Sequence, residues 1–250
     1  MMVTSLIALP LLACLLLASP GLAHEPGDPA EGLTYLTEEF RPLNYTENGR
    51  PTGLSVALLK LIWQEMGVPE QPIQVMPWPR IYRSGQMDPH VVIFSMYRTE
   101  ERERLFKWVG PIVKGRLALF ALRSRRLAVR SLRDMDGRRI ASLRDIAAAS
   151  KVLGAGFPLI YASRAEHAIQ LLESGRVDAV ALDEFRFRRT VAGLSFPPDT
   201  FEAVLVLSED SLYYAFSPDT DDALVARFQR ALNAIVKRPV YRNLLNFYVN

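Results

Sequence analysis

The sequence predicts an α/β protein organised as two lobes. Two observations carry this. Short apolar runs of strand length alternate with segments of helical apolar spacing along the chain, the pattern of mainly parallel sheets covered by helices. The alternation also occurs twice, around a polar connection from Arg123 to Arg133. The chain has 250 residues, 49% hydrophobic and 23% charged. That composition is globular and excludes disorder and collagen.

The elements follow in chain order. Leu33-Thr34-Tyr35-Leu36 reads as a first strand, and residues 39–50 as a loop punctuated by Pro42, Asn44, Asn48 and Gly49. Residues 55–66 place Val56, Leu59, Ile62, Trp63 and Met66 at helical spacing, with Gly67 as the stop. Ile73, Val75 and Val91-Val92-Ile93-Phe94 read as strands. Thr99 is placed to cap a helix running to Leu105, and residues 117–122 form another strand.

The second half repeats the scheme: strands at 139–143 and 177–182, helices at 147–153 and 164–174. Residues 201–207 and 213–216 read as two further strands. Residues 221–236 carry Leu224, Phe228, Leu232 and Ile235 in one stripe, and Pro239 opens a last short helix.

The amino terminus reads as an address. A 13-residue apolar stretch from Leu6 to Ala18 is short for a membrane span but suits a signal peptide, with Gly21 and Ala23 as the small residues before a cut after Ala23. Leu11-Leu12-Ala13-Cys14 partly resembles a lipobox, so lipid anchoring at Cys14 is the alternative. Beyond residue 23 there is no cysteine, which removes disulfides, thiol chemistry and Cys-based zinc sites. No metal site and no cofactor is expected, and the isolated His90 and His167 form no ligand spacing. The net charge is +3. The arginines between Arg123 and Arg144 lack interleaved aromatics, so no nucleic-acid partner is expected.

Four segments then carry a resemblance. Residues 35–45 run into Asn48-Gly49-Arg50-Pro51-Thr52-Gly53-Leu54. Phe94-Ser95-Met96-Tyr97-Arg98-Thr99-Glu100-Glu101-Arg102 contains a T-x-x-R pattern. Phe106-Lys107-Trp108-Val109-Gly110-Pro111 follows, and Leu171-Leu172-Glu173-Ser174-Gly175-Arg176-Val177-Asp178-Ala179-Val180 lies in the second half. In this order and spacing they resemble the bacterial extracellular solute-binding proteins of family 3, the polar amino-acid-binding type.

The resemblance implies a type II periplasmic-binding-protein fold, two lobes joined by crossover strands near residues 117–122 and 212–216. The implied parts are a signal peptide at 1–23, lobe one at 31–118 and 214–250, and lobe two at 119–213. It implies a monomeric periplasmic protein that delivers a small polar, carboxylate-bearing solute to an inner-membrane ABC transporter permease, without catalysis. A sensory module, or an enzyme similar to a cyclohexadienyl dehydratase, is the alternative on the same scaffold. Glu38, Glu39 and Glu184 are then the candidate acids.

Site residues come with it. Arg102 matches the arginine that grips the solute carboxylate, a task suited to a planar fork making two charge-assisted hydrogen bonds. Ser95 and Thr99 are candidate hydroxyl donors. Asp183, at the carboxyl end of a strand, matches the aspartate that binds the solute ammonium, and is equally an N-cap. Phe40 matches a cleft aromatic. Trp78, with Arg80 beside it, either lines the cleft or packs under a loop, and Tyr97 and Arg98 sit at the same edge. One departure stands out. Where the family often has G-[ST]-T, this chain has Arg144-Asp145-Ile146-Ala147. Arg144 either replaces the lost donors or is a solvated cation.

Overall fold

The computed structural model describes residues 28–197 and 199–249. The expected leader and Cys14 lie outside the described residues. In the first half, strands β1 (Thr34–Thr37), β4 (Ile73–Val75) and β5 (Val91–Tyr97) pair in parallel in the order β4-β1-β5. Helix α1 (Leu54–Met66) buries Leu54, Leu58, Leu59, Ile62 and Trp63 against them. It ends where Gly67 takes φ 71° and its N–H returns to the Gln64 and Trp63 carbonyls, a left-handed cap that costs glycine little. Helix α2 (Trp78–Met87) begins at Trp78, with Pro77 before it and Pro79 in its first turn.

The stretch expected as a loop contains a hairpin, β2 (Tyr45–Glu47) and β3 (Arg50–Thr52). Asn48 and Gly49 both have positive φ, 50° and 73°, as a two-residue turn of this hand requires. Behind it, Gly53 at φ 112° lets the chain lie against the Leu43 carbonyl, and a Cβ there would sit 2.5 Å from that oxygen. Ser55 N–H donates to the Leu43 carbonyl at 2.8 Å, and the Asn44 side-chain amide donates to the Glu38 carbonyl at 2.6 Å. The segment carrying Glu38 and Phe40 is thereby fixed to the start of α1.

Two long strands, β6 (Lys107–Leu122) and β10 (Phe201–Phe216), form an antiparallel ribbon running from Phe201 opposite Leu122 to Phe216 opposite Lys107. The sequence reading expects two strands where β10 is one. Its middle, Ser208-Glu209-Asp210-Ser211, lies between the halves, where neither half's helices impose an apolar pattern. The ladder to β6 continues through it regardless.

The second half hangs from this ribbon. Strand β9 (Ala179–Asp183) pairs antiparallel with β6, then β7 (Ile140–Ser142) and β8 (Ile160–Tyr161) follow in parallel. Helices α3 (Ala147–Gly154), α4 (Ala165–Glu173) and α5 (Glu184–Gly193) cover it. The chain then returns: α6 (Asp222–Ile235) is capped by the Asp221 carboxylate and packs against α1, and α7 (Pro239–Tyr248) packs there too. The sheet order β4-β1-β5-β10-β6-β9-β7-β8 is the α/β architecture the sequence predicts, parallel within each half and antiparallel along the ribbon.

One local expectation fails. Thr99 caps no α-helix. Residues Glu100–Arg102 make a single 3-10 turn, and the Thr99 side chain makes no capping bond to the backbone. The segment has no apolar stripe to hold a helix against the core, and Arg102 turns inward instead. A turn this short offers no helix dipole to an anion.

Candidate functional site

The carboxyl ends of β1, β5 and β9 face one place between the halves, the position at which open α/β sheets hold ligands. Glu38 and Phe40 follow β1, Ser95 and Tyr97 end β5, and Asp183 ends β9. Trp78 comes from the start of α2 and Arg102 from the 3-10 turn.

Arg102 is only 4% exposed. Its Nη1 donates to the Tyr97 carbonyl at 3.3 Å, and its Nη2 donates across the gap to the Asp145 carbonyl at 2.6 Å. The Trp78 and Tyr82 rings flank it at 5.3 and 5.0 Å. Among the described residues no carboxylate ion-pairs with it. Burial pulls its pKa below the usual guanidinium value. The Asp145 carbonyl also accepts from Trp78 Nε1 at 2.9 Å, so one carbonyl of the second half takes two donors of the first. Asp145 does this at φ 60°, a left-handed backbone that Asp tolerates better than most residues.

A second arginine, Arg186 on α5, closes the gap from the other side. Its Nη2 donates to Glu38 Oε1 at 2.8 Å, and its Nε lies 3.3 Å from Asp183 Oδ2. Its backbone N–H donates to Asp183 Oδ1 at 2.8 Å, so Asp183 is the N-cap of α5 as well as a cleft residue. The guanidinium lies 4.5 Å above the Phe40 ring. Burial raises the pKa of Glu38 and of Asp183, more than Arg186 lowers them. For Arg186 burial opposes the charge, but the two facing carboxylates outweigh it and hold its pKa above the usual value.

Two other hydroxyls complete the inner end. Ser95 Oγ lies 2.6 Å from Ser55 Oγ. The Tyr97 hydroxyl is buried without a hydrogen-bond partner among the described residues, in space that Gly115 leaves free of a Cβ. Burial, and then the Asp183 charge, push the Tyr97 pKa well above its ordinary value, so this hydroxyl keeps its proton.

A cavity of about 20 Å³ remains among Phe40, Trp78, Ser95, Tyr97, Arg102 and Asp183. That is room for about one water. A second cavity of about 1040 Å³ opens outward past Phe40, Trp78 and Arg186, walled by Arg144, Tyr161 and Arg189. Arg144 is exposed there, 4.3 Å above the Tyr161 ring.

Of the residues named from sequence, Arg102, Asp183, Phe40, Ser95, Tyr97 and Trp78 come together at the small cavity, and Arg144 at the large one. Three do not line either cavity. Arg98 is held in two hydrogen bonds by Glu103, at 2.7 and 2.5 Å. Thr99 is buried and serves Glu101. Arg80 is exposed on α2. Sequence reasoning missed Arg186, although its place three residues after Asp183 on a helix is a pairing distance.

Comparison with curated protein sequences gives no match. Solved structures do match. A mutant of ArgBP from T. maritima has a TM-score of 0.73 at 23% identity, over 87% of this chain and 95% of that one. A histidine kinase sensor domain with similarity to periplasmic binding proteins has a TM-score of 0.76 at 20% identity, over 87% and 96%. The GluR0 ligand-binding core from Nostoc punctiforme has 0.74 at 19%, over 87% and 99%. At these identities the likeness is one of fold, that of type II periplasmic binding proteins. The family model of bacterial extracellular solute-binding proteins, family 3, matches residues 33–250. The chain therefore belongs to the bacterial extracellular solute-binding proteins of family 3.

Proposed function

We propose that the protein captures a small solute of amino-acid size, bearing a carboxylate, between its two lobes, and hands it to an ABC transporter permease at the inner membrane. The observation that carries this is Arg102. A guanidinium buried at the lobe junction, held by two backbone carbonyls and the Tyr82 side chain with no carboxylate ion-paired to it among the described residues, is a ready partner for a carboxylate. The lobes are residues 31–118 with 214–250, and residues 119–213. Because both contribute to the cleft, a bound solute favours the closed form by its higher affinity for it. The protein acts as a monomer in the periplasm, after removal of residues 1–23. Among the described residues no helix is long and apolar enough to cross a membrane.

No reaction is part of this reading. Each candidate acid is already committed: Glu38 to Arg186, Glu39 to the Thr46 N–H, and Glu184 to Arg116 and Arg188. A sensory module is the second reading, favoured by the fold likeness to a kinase sensor domain. Solute uptake by a strain lacking the gene separates the two, since only a transport protein's loss abolishes it.

A thermal-shift screen of amino acids and small carboxylates tests the reading. A micromolar binder, worth about −8 kcal/mol, raises the melting temperature with concentration. A screen with no such compound contradicts it.

A further inference from the structure

Arg186 stands in a different relation to each of its two carboxylates. Asp183 is three residues away in the same half, accepts the Arg186 backbone N–H at 2.8 Å and lies 3.3 Å from Nε. That contact caps α5 and involves no residue of the first half. Glu38 belongs to the first half, just beyond β1, and takes Nη2 at 2.8 Å across the gap. The guanidinium also lies 4.5 Å over the Phe40 ring, again across the gap. Asp183 thus aims the guanidinium, and the first half brings Glu38 and Phe40 to it.

Glu38 bears the cost when the halves meet. Its side chain is 12% exposed, beside Arg186 at 13%. Burial disfavours its charge and the Asp183 charge adds to that, while Arg186, and to a smaller extent Arg102, offset it. Arg102 does not stand in for Arg186, because its hydrogen bonds go to the Tyr97 and Asp145 carbonyls and to Tyr82. Among the described residues Glu38 has one ion-pair partner, and the opposite half carries it. The other bonds across the gap, from Arg102 and Trp78 to the Asp145 carbonyl, end on a neutral oxygen that water serves nearly as well.

We propose that Arg186 is a positioning residue for closure: it acts through Glu38, supplying from the second half the cation that lets this first-half carboxylate be buried when the cleft shuts. This deepens the solute-binding reading above and rests on its two closing lobes. The Asp183 contact lies within one lobe and is kept whether the cleft is open or shut. The Glu38 contact is made only on closing, so losing Arg186 strands a charge in the closed form alone and shifts the balance toward the open one.

Solution X-ray scattering of wild type and Arg186→Gln tests this, first on the protein alone and then with L-glutamate, L-arginine or succinate added. Calorimetry with the same three probes gives Kd. Arg186→Gln is expected to have the larger radius of gyration in the same condition, and to bind any probe that wild type binds about tenfold to a hundredfold more weakly. Adding Glu38→Gln to Arg186→Gln is expected to bring both quantities back toward wild type, a rescue from the opposite lobe that a purely structural arginine would not show. If Arg186→Gln does not fold, Arg186→Gln with Asp183→Asn relieves the second half and leaves Glu38 as the stranded charge, and the same opening is expected. A variant as compact as wild type in every condition, or an opening that Glu38→Gln does not reverse, overturns this inference. Neither result touches the solute-binding reading, which the thermal-shift screen decides by itself.

Discussion

Replacing Arg102 by alanine is expected to weaken solute binding severely while leaving a folded protein. The guanidinium comes from the first half, is 4% exposed, and among the described residues is hydrogen-bonded to two backbone carbonyls and the Tyr82 side chain, with no carboxylate ion pair. A solute carboxylate left there without its cation costs on the order of 2–5 kcal/mol, or roughly 30- to 4,000-fold in Kd. Arg102→Lys keeps the charge and loses the planar fork, so it falls between the two. Calorimetry with the best compound of the screen measures all three proteins, and far-ultraviolet circular dichroism checks their fold. Wild-type affinity in Arg102→Ala would remove Arg102 from the site.

The second large effect is on stability. Arg186→Ala leaves the Glu38 and Asp183 carboxylates buried without a cation, a loss of about 3–5 kcal/mol for a pair of this kind. The loss depends on pH. Burial already holds both carboxyls above their ordinary pKa, and removing Arg186 raises them further. The folded variant then binds more protons than the unfolded chain between the ordinary carboxyl pKa and the raised one. Its stability rises as pH falls through that window and is poorest above it. Urea denaturation of wild type and variant across mildly acidic to neutral pH measures the difference. A deficit independent of pH would mean that the arginine acts through packing alone. Glu38→Gln with Asp183→Asn and Arg186→Met removes all three charges together and is expected to recover much of the loss.

The sequence makes the scaffold legible where one side of an element is buried. Helix α1 shows its core face through Leu59, Ile62 and Trp63 and its end through Gly67. Helix α6 shows its stripe and its Asp221 cap. Legibility fails where burial imposes no period. The middle of β10, Ser208 to Ser211, is strand because β6 pairs with it, not because its side chains alternate. The β2–β3 hairpin buries little beyond Tyr45, so its strands carry no pattern, although Asn48-Gly49 is itself a strong turn signal.

The site divides in the same way. Arg102 sits among Glu100, Glu101, Glu103 and Arg104 and reads locally as surface charge. Only its match to a family pattern marks it out. Asp183 is legible because a strand ends there. Arg186 is one of five arginines or aromatics in Glu184-Phe185-Arg186-Phe187-Arg188-Arg189, and what turns it inward is Glu38, a residue far away in the chain. Arg98 and Arg80 share the composition of a site and miss its location, because local charge does not report which way a side chain faces across a gap between halves.

A crystal structure with a bound acid from the screen tests the central claim most directly. The account predicts the acid between the two halves, its carboxylate oxygens about 2.7–3.2 Å from the Arg102 guanidinium nitrogens. Density for the acid on an outer face, or in the cleft with its carboxylate turned away from Arg102, would contradict it.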